Sequence, residues 1–156
     1  IFTANGGTAG VTAAANNAIT ADELISLVYA LKSPYRRNAK FLMNDATVSI
    51  IRKLKDKNDA YLWQPSLQAG EPDRLLGYEL YTSPYVPTVA AGALTVAFGD
   101  FKNYWIGDRA GRTVQRLNEL YATNGQIGYV ATERVEGKVI LPEGIQLLKM
   151  KATSGS

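Results

Sequence analysis

The apolar residues of this chain repeat at two different periods, and the change from one to the other limits the fold more than any other feature. Leu24, Leu27, Val28 and Leu31 fall at i, i+3, i+4 and i+7, the stripe of an amphipathic helix. Thr20 with Glu23 three residues on is a capping-box signature, and Asp22 adds a negative charge in the first turn. Ser33-Pro34 stops this helix, because the residue before a proline is pushed out of the α region. The run "KFLM" reads as a buried strand. Asn44 then caps a second helix running to about Lys55, with Val48, Ile51 and Leu54 on one face. The polar turn "KDKND" ends it.

Beyond that turn the chain has strand composition. "YELYTS" and "ALTVAFGDF" are strand-like, and "GYEL" and "PYVPTVAAG" supply bends with Gly and Pro. "NYWIGDR" and "RTVQRL" form two strand-like runs separated by "DRAG", a tight turn near Gly111. "TNGQ" at 123–126 is a hairpin turn signal, "QIGYVATERV" alternates apolar and polar residues, and "GIQLLKMK" closes the chain as a last strand. No repeat of fixed period is present, which excludes solenoids and propellers. Helices early and antiparallel strands later make the expected fold class α+β.

Composition narrows the function. The chain has no Cys and no His, so Ser-His-Asp and Cys-His catalysis, disulfide frameworks and the usual zinc sites are excluded. A net charge of +3, from 17 basic and 14 acidic residues, is too small to argue for a nucleic-acid groove. "YRRNAK" and "IRKLKDK" read as solvated helix ends. No apolar run approaches the roughly 20 residues needed to cross a bilayer. The first residues, "IFTANGGTAG", lack the basic start of a signal peptide and read as the inside of a longer chain; 1–19 reads as an extended or disordered arm.

Few residues carry chemistry. Asp100 and Asp108 are the obvious carboxylate pair for a hydrolase, but "FGDF" and "GDR" fit turn aspartates better. Neither a catalytic, a cofactor-binding nor a metal-binding residue is assigned, and no cofactor is expected. What the chain does have is aromatic surface: two Trp and nine Tyr, residue types that dominate interface energetics when they are not core. The stretch "DAYLWQPSLQAGEPDRLLG" at 59–77 is too apolar for a free linker and too broken for one helix, and reads as a packed loop shaping a contact surface.

At this point "LISLVYAL", "NAKFLMNDATVSIIRKLKD", "YLWQPSLQAGEPDRLLGYEL", "VAFGDFKNYWIGDR" and "ERVEGKVILPEGIQLLKM" follow one another in a telling order. From about Thr20 to Met150 the chain resembles the C-terminal part of a tailed-bacteriophage major capsid protein of the Hong Kong 97 type (HK97-like fold). The resemblance implies a structural, self-assembling shell subunit of a phage or prophage, not an enzyme. It implies a peripheral-lobe spine helix within 20–37, an axial lobe at 38–121 and returning peripheral strands at 122–156. The family's N-terminal arm and extended hairpin loop precede the region matched.

The partners implied are other copies of the chain in pentamers and hexamers, with portal and scaffold proteins. The shell encloses DNA without reading its sequence, in the virion, after assembly in the host bacterial cytoplasm; no membrane is involved. Tyr61, Trp63, Pro65, Leu67 and Arg74 are the subunit-interface candidates, on a loop of the axial lobe. Some family members weld subunits by a lysine–asparagine isopeptide bond. For that, Asn124 is the candidate acceptor and Glu133 the assisting carboxylate, the alternative being that Asn124 supplies a left-handed turn before Gly125. An encapsulin-type nanocompartment shares the implied fold and is the alternative shell; a carboxylate-dependent hydrolase is the alternative of another class.

Overall fold

The computed structural model describes residues 1–2, 8–55, 73–109, 111–117 and 122–153. In chain order the elements are β1 (Thr8–Thr12), α1 (Ala21–Ala30), α2 (Ser33–Arg36), β2 (Lys40–Met43), α3 (Asp45–Arg52), β3 (Arg74–Leu75), β4 (Tyr78–Thr82), β5 (Leu94–Gly99), β6 (Tyr104–Asp108), β7 (Thr113–Leu117), β8 (Gly128–Thr132), β9 (Val135–Val139) and β10 (Ile145–Lys149). They form two units. One joins Ile1–Tyr104 to Val139–Ser156, and the other is Trp105–Lys138.

The first unit is built on a six-stranded sheet of order β1-β10-β5-β2-β4-β3. β10 lies parallel to β1 and antiparallel to β5, β5 is antiparallel to β2, and β2 is parallel to β4. The strand alternation sorts its side chains onto two faces. On one, Phe41, Met43, Val96, Phe98, Leu148 and Met150 meet the helices; on the other, Ala97, Ile145 and Leu147 pack with Val139 and the partly buried Ile1 and Phe2. Phe41 and Phe98 are register partners across β2 and β5, with ring centroids 4.5 Å apart. Tyr78 meets the Phe98 ring edge-on at 4.9 Å. Such aromatic pairs add to what area burial alone gives.

α1 begins at the expected capping box. The Glu23 amide donates to Thr20 Oγ1 at 3.3 Å and the Thr20 amide donates to Glu23 Oε2 at 2.9 Å. The other Glu23 oxygen accepts from the Ala14 amide at 2.7 Å, so one carboxylate ties the helix start to the chain leaving β1. Leu24, Leu27, Val28 and Leu31 are buried in one cluster with Leu148 and Met150. Leu148 of the last strand faces this stripe, whereas Ile145 and Leu147 point to the opposite face of the sheet. α3 is capped by Asn44, whose Oδ1 accepts from the Ala46 amide at 3.0 Å. Ser33-Pro34 does more than stop a helix. α1 ends at Ala30, and Pro34 sits in the first turn of the four-residue α2, where its missing N–H costs nothing.

Two backbone positions show how closely the sheet is specified. A Cβ on Gly99 would lie 2.3 Å from the Gly144 carbonyl oxygen and 2.7 Å from Ile145 Cα, so β10 approaches β5 only because that position is glycine. The hairpin joining β3 to β4 has Leu76 at φ 52° and Gly77 at φ 85°, positive at both central positions as a type I′ turn requires. Gly77 suits that geometry; Leu76, exposed and with a Cβ, does not.

Two stability outcomes follow. Leu27→Ala, at a fully buried position, should cost about 2–5 kcal/mol in urea unfolding, against about 0.5 kcal/mol for Ile25→Ala on the outer face of the same helix. Leu76→Asn, which tolerates the left-handed region, should stabilise by about 1 kcal/mol. A neutral or destabilising result would mean that the turn does not hold Leu76 at positive φ.

Candidate interaction surface

The unit Trp105–Lys138 departs from ordinary packing. Its described residues form a ribbon of two-stranded ladders, β6 with β9 and β7 with β8, so each of these strands is an edge strand. The Arg109 amide donates to the Arg134 carbonyl at 2.9 Å where the two ladders meet. β7 and β8 run in register from Thr113 opposite Thr132 to Leu117 opposite Gly128. Among the described residues of this unit none is buried. Trp105 is 65% exposed, Ile106 72%, Val114 69% and Tyr129 66%, and Ile127, Val130 and Val135 are also exposed. An isolated two-stranded ribbon is marginally stable in water, and its exposed apolar side chains make it a candidate contact surface. Polar ties hold its shape: Thr113 and Thr132 share a hydrogen bond of 2.6 Å between hydroxyls, and Arg112 Nε lies 3.0 Å from Glu133 Oε1.

The expected interface and crosslink residues are distributed unevenly over this picture. Tyr61, Trp63, Pro65 and Leu67 lie outside the described residues. Arg74 is exposed on β3, opposite Glu79 on β4. Asn124 is exposed at the end of a 3-10 turn, Ala122–Asn124, in the connection between β7 and β8. The left-handed residue there is Gly125, at φ 66°, and not Asn124, because glycine has no Cβ to clash. Glu133 is engaged by Arg112. Asp100 is a turn aspartate, as its sequence context suggests: its Oδ1 accepts from the Lys102 amide at 3.0 Å. Asp108 sits exposed on β6. Sequence reading did not single out Ile106, Val114, Tyr129 or Val130, because a half-buried strand and an unpartnered one share the same composition.

Two ion pairs on the sheet unit shift the titration of their own groups. Lys32 Nζ donates to Glu143 Oε2, and Tyr35 Oη donates to the other carboxylate oxygen at 3.2 Å. Lys40 Nζ lies 2.8 Å from Glu79 Oε2, which also accepts from Tyr81 Oη at 3.2 Å. The Lys32 hydrogen bond holds the Glu143 carboxyl below its ordinary 4.5. The Lys40 hydrogen bond does the same for Glu79, with Tyr81 second and the charge of Arg74 the smallest push. Lys32 and Lys40 are raised above 10.5 by the same hydrogen bonds.

Both carboxyls are therefore lowered in the folded state. Their contribution to stability is present above the ordinary carboxylate value of 4.5 and is lost as the pH falls below it. The two lysines contribute fully below 10.5 and lose that contribution as the pH rises past it. All four groups are solvent-exposed, so the effect is small and weakened by salt. Glu143→Gln should flatten the fall in urea midpoint below pH 4.5 and leave the profile between pH 6 and 9 parallel to that of the unsubstituted chain. An unchanged acid limb would show that Glu143 does not hold Lys32 in solution.

A model of the "Phage capsid family" matches residues 1–150. The chain belongs to the phage capsid family. Solved capsids agree. The "Capsid of native GTA particle computed with C5 symmetry" is 36% identical, with a TM-score of 0.80 over 97% of this chain and 55% of that chain. The "Capsid of empty GTA particle computed with C5 symmetry" is 39% identical, with a TM-score of 0.76 over 91% and 49%. A chain of Gordonia phage Cozz shares the fold at 16% identity, with a TM-score of 0.63 over 96% and 51%. This capsid-family chain thus spans about half the length of the solved chains it matches. No curated protein is significantly similar to it.

Proposed function

We propose that this chain is a region of a major capsid subunit, which assembles with copies of itself into the pentamers and hexamers of an icosahedral phage or prophage shell around DNA. The observation that carries the reading is the ribbon of Trp105–Lys138, which exposes its apolar residues in a family whose solved relatives are assembled capsids. A strand ribbon without a core of its own gains stability only by burying that surface elsewhere, and a neighbouring subunit is the partner that every shell supplies. On this reading the protein is structural, its place is the virion, and portal and scaffold proteins are its further partners. α1 serves as the spine helix of the peripheral lobe.

The apolar ribbon accounts for association without a cofactor, a metal or a reaction. Trp105, Ile106 and Tyr129 are the anchors, since buried aromatic and large aliphatic side chains carry most of the energy of an interface. Sedimentation velocity over a concentration series tests this. The unsubstituted chain should associate reversibly and weakly, and Trp105→Ala with Tyr129→Ala should shift the midpoint to at least tenfold higher concentration while leaving the unfolding of the sheet unit unchanged. Equal association by the substituted chain would remove the ribbon from the interface.

A further inference from the structure

The sheet unit carries a second, different pair of surfaces, at the two ends of β5, β2 and β4. At one end the loop between β4 and β5 presents Tyr85, 95% exposed. A lone exposed tyrosine needs no explanation, but this one is held in place. Pro84 and Pro87 fix the backbone on either side of it. The Val86 amide donates to the Ser83 carbonyl at 3.3 Å, and Val86 is itself buried. Asn44, already the cap of α3, donates from Nδ2 to the Pro84 carbonyl at 3.3 Å and to the Val86 carbonyl at 2.9 Å. The ring is therefore presented on a loop with little freedom left to lose on docking.

At the opposite end, where β2 and β4 begin and β5 ends, is a concavity of about 630 Å³, within the ~300–1,000 Å³ of ordinary binding clefts. Tyr78 and Phe101 line it, and Arg37, Lys40, Arg74 and Lys102 surround it. Its acids are used internally, Glu79 by Lys40 and Tyr81, and Asp100 by the Lys102 amide. The loop carrying Tyr85 is uncharged, and its two prolines bring no amide donors to it. An exposed aromatic ring is complementary to a cleft edged by the cations Arg37 and Lys102, through cation–π contact. The fold already makes such pairs within itself, Lys40 lying 4.9 Å from the centre of the Tyr81 ring and Arg36 4.8 Å from that of Tyr29.

We propose that copies of this chain associate head to tail, Tyr85 of one copy entering the basic cleft beside Arg37 and Lys102 of the next. The inference rests on the shell-subunit reading and names a contact within it. Two unlike surfaces at opposite ends of one rigid sheet are what a heterologous contact requires, and repeating such a contact closes a ring when the rotation allows. The five-residue β4 alone separates the two ends by about 13 Å, so no chain can satisfy its own cleft with its own tyrosine.

The chain has no cysteine, which makes the test clean. The double variant Tyr85→Cys/Lys102→Cys, treated with a short bifunctional thiol crosslinker, should give a ladder of oligomers ending in a closed ring. A mixture of the two single variants should stop at dimers. In sedimentation, Tyr85→Ala should weaken association at least tenfold and Tyr85→Phe should not. Dimers from Tyr85→Cys alone would mean a twofold contact between like surfaces and would overturn the proposal, as would association without any linkage between positions 85 and 102. The second outcome leaves the shell-subunit reading intact; a chain that stays monomeric at every concentration defeats both.

Discussion

β10 is the constraint on which the sheet unit depends. Ile145, Leu147 and Leu148 are fully buried, the first two on one face of the sheet and the third on the other. A strand buried on both faces has to be paired on both edges, because its N–H and C=O groups have no water to turn to. β1 supplies one edge and β5 the other. The last strand of the chain therefore holds the first strand and the middle of the sequence together. α1 packs on the same strand through Leu148 and Met150. Everything between β5 and β10 has to be accommodated as an excursion from this closed centre, and Trp105–Lys138 is that excursion. Freed from the demands of a core, its residues are available for another task.

Two kinds of contact surface follow from this division. The ribbon exposes Trp105, Ile106, Val114 and Tyr129 among its charged residues, and its described strands are all edge strands. The sheet unit is well packed and offers smaller, shaped features, a fixed tyrosine and a basic cleft. Large apolar contact gives affinity, and small charged and aromatic features fix which surface meets which. A ring of the proposed kind, which has to form without mispairing, gains from having both. The ion pairs Lys32–Glu143 and Lys40–Glu79 act inside the unit, tying the start of α2 and the start of β2 to neighbouring elements.

Local signals were legible in the sequence and partnerships were not. The capping box at Thr20 and the Asn44 cap stand where their side chains can satisfy helix-end amides, since that chemistry involves residues within three positions. "KFLM" and "GIQLLKMK" form strands because short apolar runs between turn residues have few alternatives. The runs on either side of "DRAG" are strands, yet they pair with β9 and β8 and not with each other. A turn signal fixes the backbone at Gly111, at φ 65°, and says nothing about distant pairing. The exposure of Tyr85 and of the ribbon residues was illegible for the same reason: burial is decided by what arrives from elsewhere in the chain. The family, by contrast, was legible in the order of whole phrases, which no single period or turn contains.

On the shell-subunit reading, the ribbon of Trp105–Lys138 finds its missing core in a neighbouring subunit. Hydrogen exchange of the β6–β9 and β7–β8 amides, compared between dispersed and associated protein, tests it most directly, because a ladder without a core opens readily in water. Fast exchange is expected in the dispersed chain, with the sheet unit protected, and slowing of the ribbon amides by orders of magnitude on association. Equal protection of the ribbon in both states would contradict it.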